Sequence, residues 1–411
     1  MNVADVPALL DDDAAPSNRI VILGAGYGGL RCAQALSKYL GDPGAPEVTL
    51  VDRNSYHQII TQLPETASGR LSTDEVVVPY SELLKQTRVR FIQAEARQLD
   101  LGRRRVVTTR GALSYSTLVI ALGSTTAYYG VPGLAEHALT LKSVEDAEDV
   151  SRTVTEAIKA AATKTDPLAR SRLLSILIGG AGLTGVELAG ELAEVLPAIA
   201  REHGVAPAEA RVTLIEAAPT ALPSMPERLQ AKAAAILSEL GIRLVLGSKV
   251  VRVDSEGVDL ASGDRLVGST LIWTGGIMAP PLLSEAGLPT VPNGHVLVDN
   301  YLQPEAHPNL YVIGDSARLA ELENDEILPP TAQVALKQAE AAAYNIVATW
   351  EGWQRRPYTP SDKGQVVSLG AERGVASVFH VPLVGKKVIA LKAIIAESYR
   401  FSVTGRLGAR R

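Results

Sequence analysis

Two short glycine-rich segments have the residue types and the spacing that let a protein backbone bind phosphate groups. Their glycines are Gly24, Gly26 and Gly29 in the first segment and Gly180, Gly182 and Gly185 in the second. Glycines at this spacing allow a tight turn and the close approach of a pyrophosphate, whose negative charge a helix N-terminus stabilises. The two segments therefore predict two dinucleotide sites in one chain.

The elements around both segments fit this interpretation. Each segment follows an apolar strand and opens a helix, and the next strand ends at an acidic residue that can bond ribose hydroxyls. In order, these elements are strand Arg19–Leu23, helix Leu30–Leu40 and strand Glu47–Val51 with Asp52, then strand Leu173–Ile178, helix Val186–Ala200 and strand Val212–Ile215 with Glu216. The repeated order indicates an internal duplication of a Rossmann-like α/β unit.

Glu216 bears on which nucleotide the second segment binds. A carboxylate at this strand end favours the free 2′-hydroxyl of NADH and repels the 2′-phosphate of NADPH. Ala217 and Ala218 follow it, and neither supplies a cation for a phosphate. The sequence therefore predicts NADH.

Two downstream signals point to a flavin. The apolar strand Leu310–Ile313 ends in Gly314 and Asp315, and Pro330 and Thr331 precede a long Ala-rich helix from Ala332. A helix N-terminus aimed at a flavin would stabilise the negative charge that forms near N1 and O2 on reduction. An ordinary strand and turn, and simple capping of a structural helix, are the alternatives.

Charge is unevenly distributed along the chain. Residues 352–411 contain 11 basic and 3 acidic residues, a net of +8, whereas the whole chain of 411 residues has a net charge of −5. A basic end on an acidic body suggests an anionic partner such as a membrane surface or nucleic acid. No motif supports nucleic acid, and no run of about 18 apolar residues predicts a transmembrane helix. Residues 1–17 lack the pattern of a signal peptide and predict a disordered tail.

Cys32 is the only cysteine. One cysteine permits neither an intrachain disulfide nor a CxxC redox pair nor a cysteine zinc site. The sequence therefore argues against disulfide reductases and sulfide:quinone reductases, which need catalytic cysteines. No metal site is predicted.

Taken together, these motifs resemble the type II NADH:quinone oxidoreductases, which are single-subunit, non-proton-pumping flavoproteins related to the glutathione-reductase-like enzymes. The segments that carry the resemblance are Val21–Gly29, Gly179–Glu187, Trp273–Gly276, Tyr311–Asp315 and Pro330–Gln333. The resemblance covers about Arg19 to Leu369. It implies FAD in the first Rossmann-like domain and NADH in the second.

The resemblance also implies site residues. For FAD these are Gly24, Gly26, Gly29, Asp52, Gly314, Asp315, Ala332 and Gln333, and for NADH they are Gly180, Gly182, Gly185, Glu187, Glu216 and Gly276. Glu187 is expected at the junction of NADH and flavin, and Gln333 at the quinone side of the flavin ring, so both are candidate catalytic residues. The alternative for Glu187 is a solvated carboxylate in the first turn of its helix.

We expect four regions: a tail at 1–17, an FAD-binding domain at 18–125 and 293–350, an NADH-binding domain at 126–292, and a membrane-docking region at 351–411. In the last region, helical spacing places Val388, Leu391, Ile395 and Tyr399 on one apolar stripe, with Lys387, Lys392 and Glu397 elsewhere. Packing of this helix on the protein itself or on a dimer partner is the alternative. A homodimer, bound peripherally to the cytoplasmic face of the cell membrane, is the expected assembly.

Two other functions share the nucleotide motifs. One is a soluble NADH-dependent reductase of a small iron–sulfur protein, similar to rubredoxin or ferredoxin reductases. The other is a non-catalytic flavoprotein that acts as a redox sensor. The basic amphipathic end and the Pro-Thr-Ala-Gln segment at residues 330–333 argue against the first, and two intact glycine motifs argue against the second.

Overall fold

The computed structural model describes residues 18–42, 44–320, 330–361 and 363–405. The predicted disordered tail, residues 1–17, lies outside the described residues. Among the helices described, none combines the length and the apolar character that crossing a membrane requires.

Strands occur throughout the described chain. They are β1 (Arg19–Leu23), β2 (Glu47–Asp52), β3 (Tyr56–Gln58), β4 (Val77–Pro79), β5 (Arg90–Gln93), β6 (Ala96–Asp100), β7 (Arg105–Thr108), β8 (Gly111–Ser114), β9 (Thr117–Ile120), β10 (Thr125–Thr126), β11 (Ala138–Leu139), β12 (Ser175–Gly179), β13 (Arg211–Ile215), β14 (Arg243–Val245), β15 (Val250–Asp254), β16 (Gly257–Leu260), β17 (Arg265–Val267), β18 (Thr270–Trp273), β19 (Ile277–Met278), β20 (Val296–Val298), β21 (Leu310–Val312), β22 (Ala317–Leu319), β23 (Gly364–Ser368), β24 (Gly374–Val378) and β25 (Val381–Val384).

The helices vary from single turns to about 20 residues. They are α1 (Tyr27–Tyr39), α2 (Leu63–Ala67), α3 (Thr73–Val76), α4 (Tyr80–Leu83), α5 (Leu134–His137), α6 (Val144–Ala162), α7 (Pro167–Leu173), α8 (Leu183–Glu202), α9 (Glu227–Glu239), α10 (Leu282–Glu285), α11 (Ala332–Glu351) and α12 (Lys386–Thr404).

The chain contacts divide it into two compact units. Unit 1 comprises Met1–His57, Val78–Thr125 and Ile277–Ser361, and unit 2 comprises Gln58–Val77, Thr126–Gly276 and Asp362–Arg411. This division differs from the predicted boundaries, because residues 58–77 belong to unit 2, residues 277–292 to unit 1, and residues 362–411 to unit 2. The physical reason is burial: Leu63 and Val76 from the first of these segments, and Val367 from the last, lie in the hydrophobic core of unit 2.

Unit 1 is built on a parallel five-stranded sheet in the order β21-β9-β1-β2-β5. Strand β1 lies at its centre and is apolar along its length, with Ile20 to Leu23 at most 1% exposed. Continuous apolar strands of this kind are typical of parallel sheets that are covered on both faces. Helix α1 follows the glycine turn and packs against α11.

Unit 2 repeats this plan with a parallel sheet in the order β11-β18-β12-β13-β14. Its central strand β12 leads through the second glycine turn into α8, as β1 leads into α1. In both units a three-stranded antiparallel meander, β6-β7-β8 or β15-β16-β17, precedes the strand next to the centre. The predicted α/β class with two Rossmann-like units is therefore confirmed, and the duplication includes meanders that the sequence patterns did not predict.

The C-terminal part of unit 2 differs from the predicted amphipathic segment. Strands β23, β24 and β25 form an antiparallel sheet ahead of helix α12. The predicted stripe is wrong as a single exposed face, because Val388 and Tyr399 are buried while Ile395 is 50% exposed. The face of α12 that carries Val388 packs against β23 and β24. On α12 itself the exposed large apolar side chains are Ile394, Ile395 and Phe401.

Candidate functional site

The first glycine turn is fixed by backbone hydrogen bonds at the carboxyl end of the unit 1 sheet. The N–H of Gly24 donates to Val51 O at 2.8 Å, and the N–H of Ala121 donates to Leu23 O at 2.8 Å. Gly24 has a φ of 89°, a left-handed conformation that disfavours other residues. The turn therefore leaves β1 abruptly and directs the N-terminus of α1 towards the end of the sheet.

The second glycine turn has matching bonds within unit 2. Gly180, with a φ of 101°, donates its N–H to Ile215 O at 2.7 Å. Thr274 donates its N–H to Gly179 O at 2.7 Å, as Ala121 does to Leu23 in the first turn. The two motifs that the sequence predicts as a pair thus share the same pattern of backbone hydrogen bonds.

The space around the glycines tests whether a dinucleotide fits. A Cβ at Gly24 would lie 2.3 Å from Ala121 O, and one at Gly29 would lie 1.7 Å from Gly24 O, whereas one at Gly26 would meet no protein atom within 4 Å. In the second turn a Cβ at either outer glycine, Gly180 or Gly185, would likewise clash with protein atoms, and one at Gly182 would meet none within 4 Å. The outer glycines serve chain packing. The middle ones leave room for a ligand, so both turns fit a pyrophosphate.

The first turns of α1 and α8 keep their N–H groups available. Their N-cap residues are Gly26 and Gly182, and neither helix has a side-chain cap. By contrast, Ser143 caps α6 and Asp166 caps α7 through side-chain oxygens. Uncapped N–H groups at a helix N-terminus bind anions.

The two predicted acids occupy equivalent positions beside these turns. Asp52 Oδ2 accepts a hydrogen bond from Ala25 N at 2.6 Å, and Glu216 Oε2 accepts one from Ala181 N at 2.6 Å. Burial raises the pKa of Asp52, although backbone N–H donors including that of Ala25 oppose this. Each carboxylate is thus held next to the glycine turn of its own unit.

The Gly314–Asp315 turn and the start of α11 also lie next to the first glycine turn, within unit 1. A Cβ at Gly28 would lie 3.3 Å from the Ile313 side chain and 3.6 Å from Ala335 O. Asp315 Oδ2 accepts a hydrogen bond from Ser124 Oγ at 3.0 Å, and Gly314 N donates to Gln338 Oε1 at 2.7 Å. The structure therefore brings the Gly-Asp turn and the start of α11 to the helix of the first glycine motif.

Helix α11 begins at Ala332, as its sequence predicts. Thr331 is the N-cap, and its Oγ1 accepts a hydrogen bond from Val334 N at 3.3 Å. The side chain of Gln333 is partly buried and donates from Nε2 to Ser361 O at 3.2 Å. Capping by Thr331 is thus present, and it is compatible with either a structural or a flavin-facing helix end.

Glu187 lies in the second turn of α8 and is buried. Its Oε1 accepts hydrogen bonds from Lys392 Nζ at 2.6 Å and from Ser368 N at 2.9 Å and Ser368 Oγ at 3.1 Å. A solvated carboxylate in the first helical turn, the alternative reading of this residue, is therefore wrong. The lysine donor comes from α12 in the same unit.

Lys392 also connects Glu187 to a larger buried cluster. Its Nζ lies 2.9 Å from Glu65 Oε1. Arg70 donates from Nε to Glu191 Oε2 at 2.7 Å and forms a second bond to the same carboxylate. The cluster therefore has three carboxylates and two cations, and Glu65 Oε2 is buried without a hydrogen-bond partner among the described residues.

The charge imbalance determines how the cluster ionises. Burial raises the pKa of Glu187, and Lys392 opposes this shift. Burial also raises the pKa of Glu191 against the opposing effect of Arg70. Burial tends to lower the pKa of Lys392, but Glu187 and Glu65 outweigh it and raise the pKa. Lys392 therefore stays protonated, and Glu187 and Glu191 hold protons more tightly than exposed carboxylates do.

Glu65, Arg70, Glu191 and Lys392 were not predicted from the sequence as members of a site. One signal was available. Glu187 and Glu191 are separated by four residues within an otherwise apolar helix, which places both acids on one face of it. Buried carboxylates need partners. The partners themselves come from distant segments, which spacing does not reveal.

Two further residues have structural roles in the described parts of the chain. Cys32 is fully buried, and burial raises the pKa of its thiol to about 12. Such a thiol is unreactive near neutral pH. Gly276, expected near NADH, has a φ of 154°, and a Cβ there would lie 1.9 Å from Tyr129 Oη. Its requirement for glycine is thus explained by packing within unit 2.

Comparison with known proteins agrees with this geometry. Residues 18–339 match the model of the pyridine nucleotide-disulphide oxidoreductase family, so the chain belongs to that class of protein. More particularly, it belongs to the type II NADH:quinone oxidoreductase family. It is 33% identical over 397 residues to the type II NADH:quinone oxidoreductase of Staphylococcus aureus strain MSSA476, covering 95% of this chain and 97% of that one. The resemblance inferred from the motifs is confirmed.

Solved structures show the same fold. The NDH2 of Plasmodium falciparum in complex with NADH superimposes with a TM-score of 0.83 at 18% identity, covering 94% of this chain and 97% of that chain. The sulfide:quinone oxidoreductase of Aquifex aeolicus gives a TM-score of 0.78 at 19% identity, covering 95% and 92%. At these identities the comparison concerns the fold alone.

Proposed function

We propose that this chain oxidises NADH and reduces a membrane quinone by way of FAD, without pumping protons. The observation that carries the proposal is the pair of glycine turns. In each turn a Cβ at the outer glycines would clash with protein atoms, whereas a Cβ at the middle glycine, Gly26 or Gly182, would meet none. Membership of the type II family supports NADH and quinone as the two substrates.

The chain's residues bind and orient the two nucleotides. In unit 1 the turn Gly24–Gly29 and the start of α1 hold the pyrophosphate of FAD, Asp52 holds a ribose, and Asp315 holds the ribityl or pyrophosphate region. In unit 2 the turn Gly180–Gly185 holds NADH, with Glu216 at its ribose. Bound FAD supplies the chemistry of accepting a hydride and passing on two electrons.

Glu187 and Gln333 are the proposed catalytic residues. Two-electron reduction of a quinone consumes two protons, of which the NADH hydride accounts for one and the solution for the other. A buried cluster with one carboxylate in excess is suited to holding such a proton, which supports the role of Glu187. We assign Gln333 to the quinone side of the flavin and Ala332 to the flavin ring, as the family resemblance implies.

The test is an assay of purified protein with NADH and a short-chain quinone, with and without lipid. Stopped-flow measurement then separates the two half-reactions in a Gln333→Leu variant. Slower oxidation of reduced flavin by quinone, with normal reduction by NADH, supports the assignment of Gln333. Equal slowing of both half-reactions shows that Gln333 supports flavin binding generally.

The same assay separates the alternative functions. A reductase of a small iron–sulfur protein would reduce rubredoxin or ferredoxin faster than quinone. A redox sensor would bind flavin that NADH bleaches only slowly. Proton pumping is tested in sealed vesicles with an internal pH-sensitive dye, and no acidification or alkalinisation coupled to turnover is expected.

We further propose that residues of α12 and the β24–β25 hairpin contact the cytoplasmic leaflet of the cell membrane. The support is a group of exposed apolar side chains on one segment that also has exposed lysines. The apolar side chains are Ile394, Ile395 and Phe401 on the helix and Phe379 and Val381 at the hairpin. Such a surface binds lipid peripherally. A homodimer is proposed from the family resemblance, and light scattering in detergent tests it.

A further inference from the structure

The carbonyl oxygen of Ala25, between the first two glycines of the first turn, accepts two side-chain hydrogen bonds. Tyr80 Oη donates to it at 2.9 Å, and His57 Nδ1 lies 3.2 Å from it. Tyr80 is 2% exposed and His57 1% exposed. Two buried donors thus converge on one backbone oxygen of the predicted pyrophosphate site.

His57 acts as a neutral donor. Burial lowers its pKa to about 4, so the ring is uncharged near neutral pH. A carbonyl oxygen only accepts, so the proton of the neutral ring lies on Nδ1. The ring also packs edge-on against Tyr27, with centroids 5.3 Å apart.

Fixing this carbonyl fixes the next N–H. A trans peptide is planar, so the N–H of Gly26 points away from the Ala25 oxygen. The other side of Ala25 is also held, because its N–H donates to Asp52 Oδ2 at 2.6 Å. Ala25 is therefore held on both sides, and the orientation of the Gly26 N–H, beside the open space, is set by Tyr80 and His57.

In the second turn the equivalent carbonyl is held by a backbone N–H group instead of by side chains. Ala181 O accepts a hydrogen bond from the backbone N–H of Leu222 at 2.8 Å. Leu222 is fully buried and has a φ of 54°, a strained conformation for a leucine. Two units that share a motif thus constrain the same oxygen with unrelated groups, which indicates that the constraint serves the turn rather than local packing.

We propose that Tyr80 and His57 are positioning residues for FAD: by holding the Ala25 carbonyl they aim the Gly26 N–H at the FAD pyrophosphate. This inference rests on the proposed placement of FAD at the first turn. It predicts that losing either donor weakens FAD binding without affecting NADH, whose turn is held by Leu222.

The test uses holoenzyme with Tyr80→Phe, and Tyr115→Phe as a matched control. Tyr115 is also 2% exposed in unit 1, and its hydroxyl does not bond to Ala25. Release of FAD on dilution is followed by flavin fluorescence, and phosphorus NMR reports the environment of the bound pyrophosphate. Tyr80→Phe is expected to release FAD about fivefold to tenfold faster, the effect of one lost hydrogen bond, and to shift the pyrophosphate resonances.

Tyr115→Phe is expected to leave both measurements, and the NADH dissociation constant, unchanged. His57→Phe, which keeps a ring against Tyr27, provides a second variant if Tyr80→Phe folds poorly. Wild-type FAD release and unshifted resonances in Tyr80→Phe and His57→Phe would overturn the positioning role, as would equal changes in Tyr115→Phe. Wild-type protein that holds no FAD would instead refute the proposed function, and the positioning role with it.

Discussion

Lys392 Nζ lies 2.6 Å from Glu187 Oε1, although the two residues are 205 positions apart in the chain. The pair joins the C-terminal helix α12 to the helix that follows the second glycine turn, within unit 2. The side chain of Lys392 is 17% exposed and that of Glu187 is 10% exposed. The lysine therefore neutralises a buried catalytic candidate, so the C-terminal segment is more than an appendage for membrane docking.

Replacing Lys392 by Met should destabilise the protein strongly at neutral pH. The variant leaves Glu187 and Glu65 buried without their main cation, and breaking a buried pair in this way costs about 3–5 kcal/mol. Urea unfolding at pH 8 measures the free energy of unfolding of the variant and of the wild type. The matched control is Lys387→Met on the exposed side of the same helix, which should change stability little.

The same variant should also change the pH dependence of stability. Burial already raises the pKa of Glu187 from its ordinary 4.5, and Lys392 opposes this, so its loss raises the pKa further. A carboxyl with a raised folded pKa binds its proton more tightly when folded. The destabilisation of Lys392→Met relative to the wild type should therefore be smallest at or below the ordinary pKa of Glu187 and grow as pH rises towards its folded pKa. A destabilisation that is equal at pH 4 and pH 8 would contradict this account.

The sequence predicted what is local and missed what is distant. Gly24, Gly180 and their partner acids were found because a turn, a helix start and a strand end follow each other within one motif. The helix around Lys392 was also predicted from its spacing, but Lys392 was assigned to the side away from the apolar stripe. Which face of a helix is buried depends on the elements packed against it, and Glu65 and Glu187 come from distant segments.

Substitutions at the first glycine turn should separate ligand binding from folding. Gly26→Val should yield folded but colourless protein, because a Cβ there has no protein atom within 4 Å and the side chain would occupy the space of the pyrophosphate. Gly29→Val should fold poorly, because its Cβ would lie 1.7 Å from Gly24 O. Flavin absorbance per protein and thermal unfolding measure the two effects.

Gly41→Val, at another open glycine of unit 1, is the control and should keep both colour and stability. Gly182→Val should remain yellow and lose affinity for NADH, since the open glycine of the second turn lies in unit 2. A fully flavin-loaded Gly26→Val protein would rule out the first turn as the FAD site.

Nucleotide choice should depend on Glu216. Both its oxygens are held by backbone N–H groups, Oε2 by Ala181 at 2.6 Å and Oε1 by Ala218 at 2.8 Å. The double variant Glu216→Gln with Ala217→Arg removes the carboxylate and adds a cation at an exposed neighbour. One charge-assisted hydrogen bond to the 2′-phosphate should narrow the ratio of kcat/KM for NADH over NADPH about tenfold or more.

The control for this experiment is Glu239→Gln, an exposed acid of the same unit that pairs with Arg373. It should leave the ratio unchanged. If the wild-type enzyme already uses NADPH as efficiently as NADH, Glu216 does not select the nucleotide.

Membrane docking is better tested by point substitution than by deleting the C-terminal segment. Deletion would remove Val388 from a buried position and Lys392 from Glu187, so the truncated protein would unfold whether or not it binds lipid. Exposed residues avoid this difficulty. Replacing Ile394 and Phe401 by Ser should leave flavin content and thermal unfolding unchanged and should weaken flotation with anionic vesicles.

The hairpin tip between β24 and β25 offers a sharper test, because one variant there should raise stability and weaken membrane binding at the same time. Phe379 and His380 form the two-residue turn with φ of 47° and 65°, conformations for which Asn-Gly is preferred. Phe379 is 66% exposed, so its ring is not needed for packing. Phe379→Asn with His380→Gly should stabilise the protein by about 1 kcal/mol and weaken binding to anionic vesicles. It should also lower activity with long-chain quinone in vesicles more than activity with a soluble short-chain quinone. A more stable variant that binds vesicles as well as the wild type would show that the strained tip does not contact lipid.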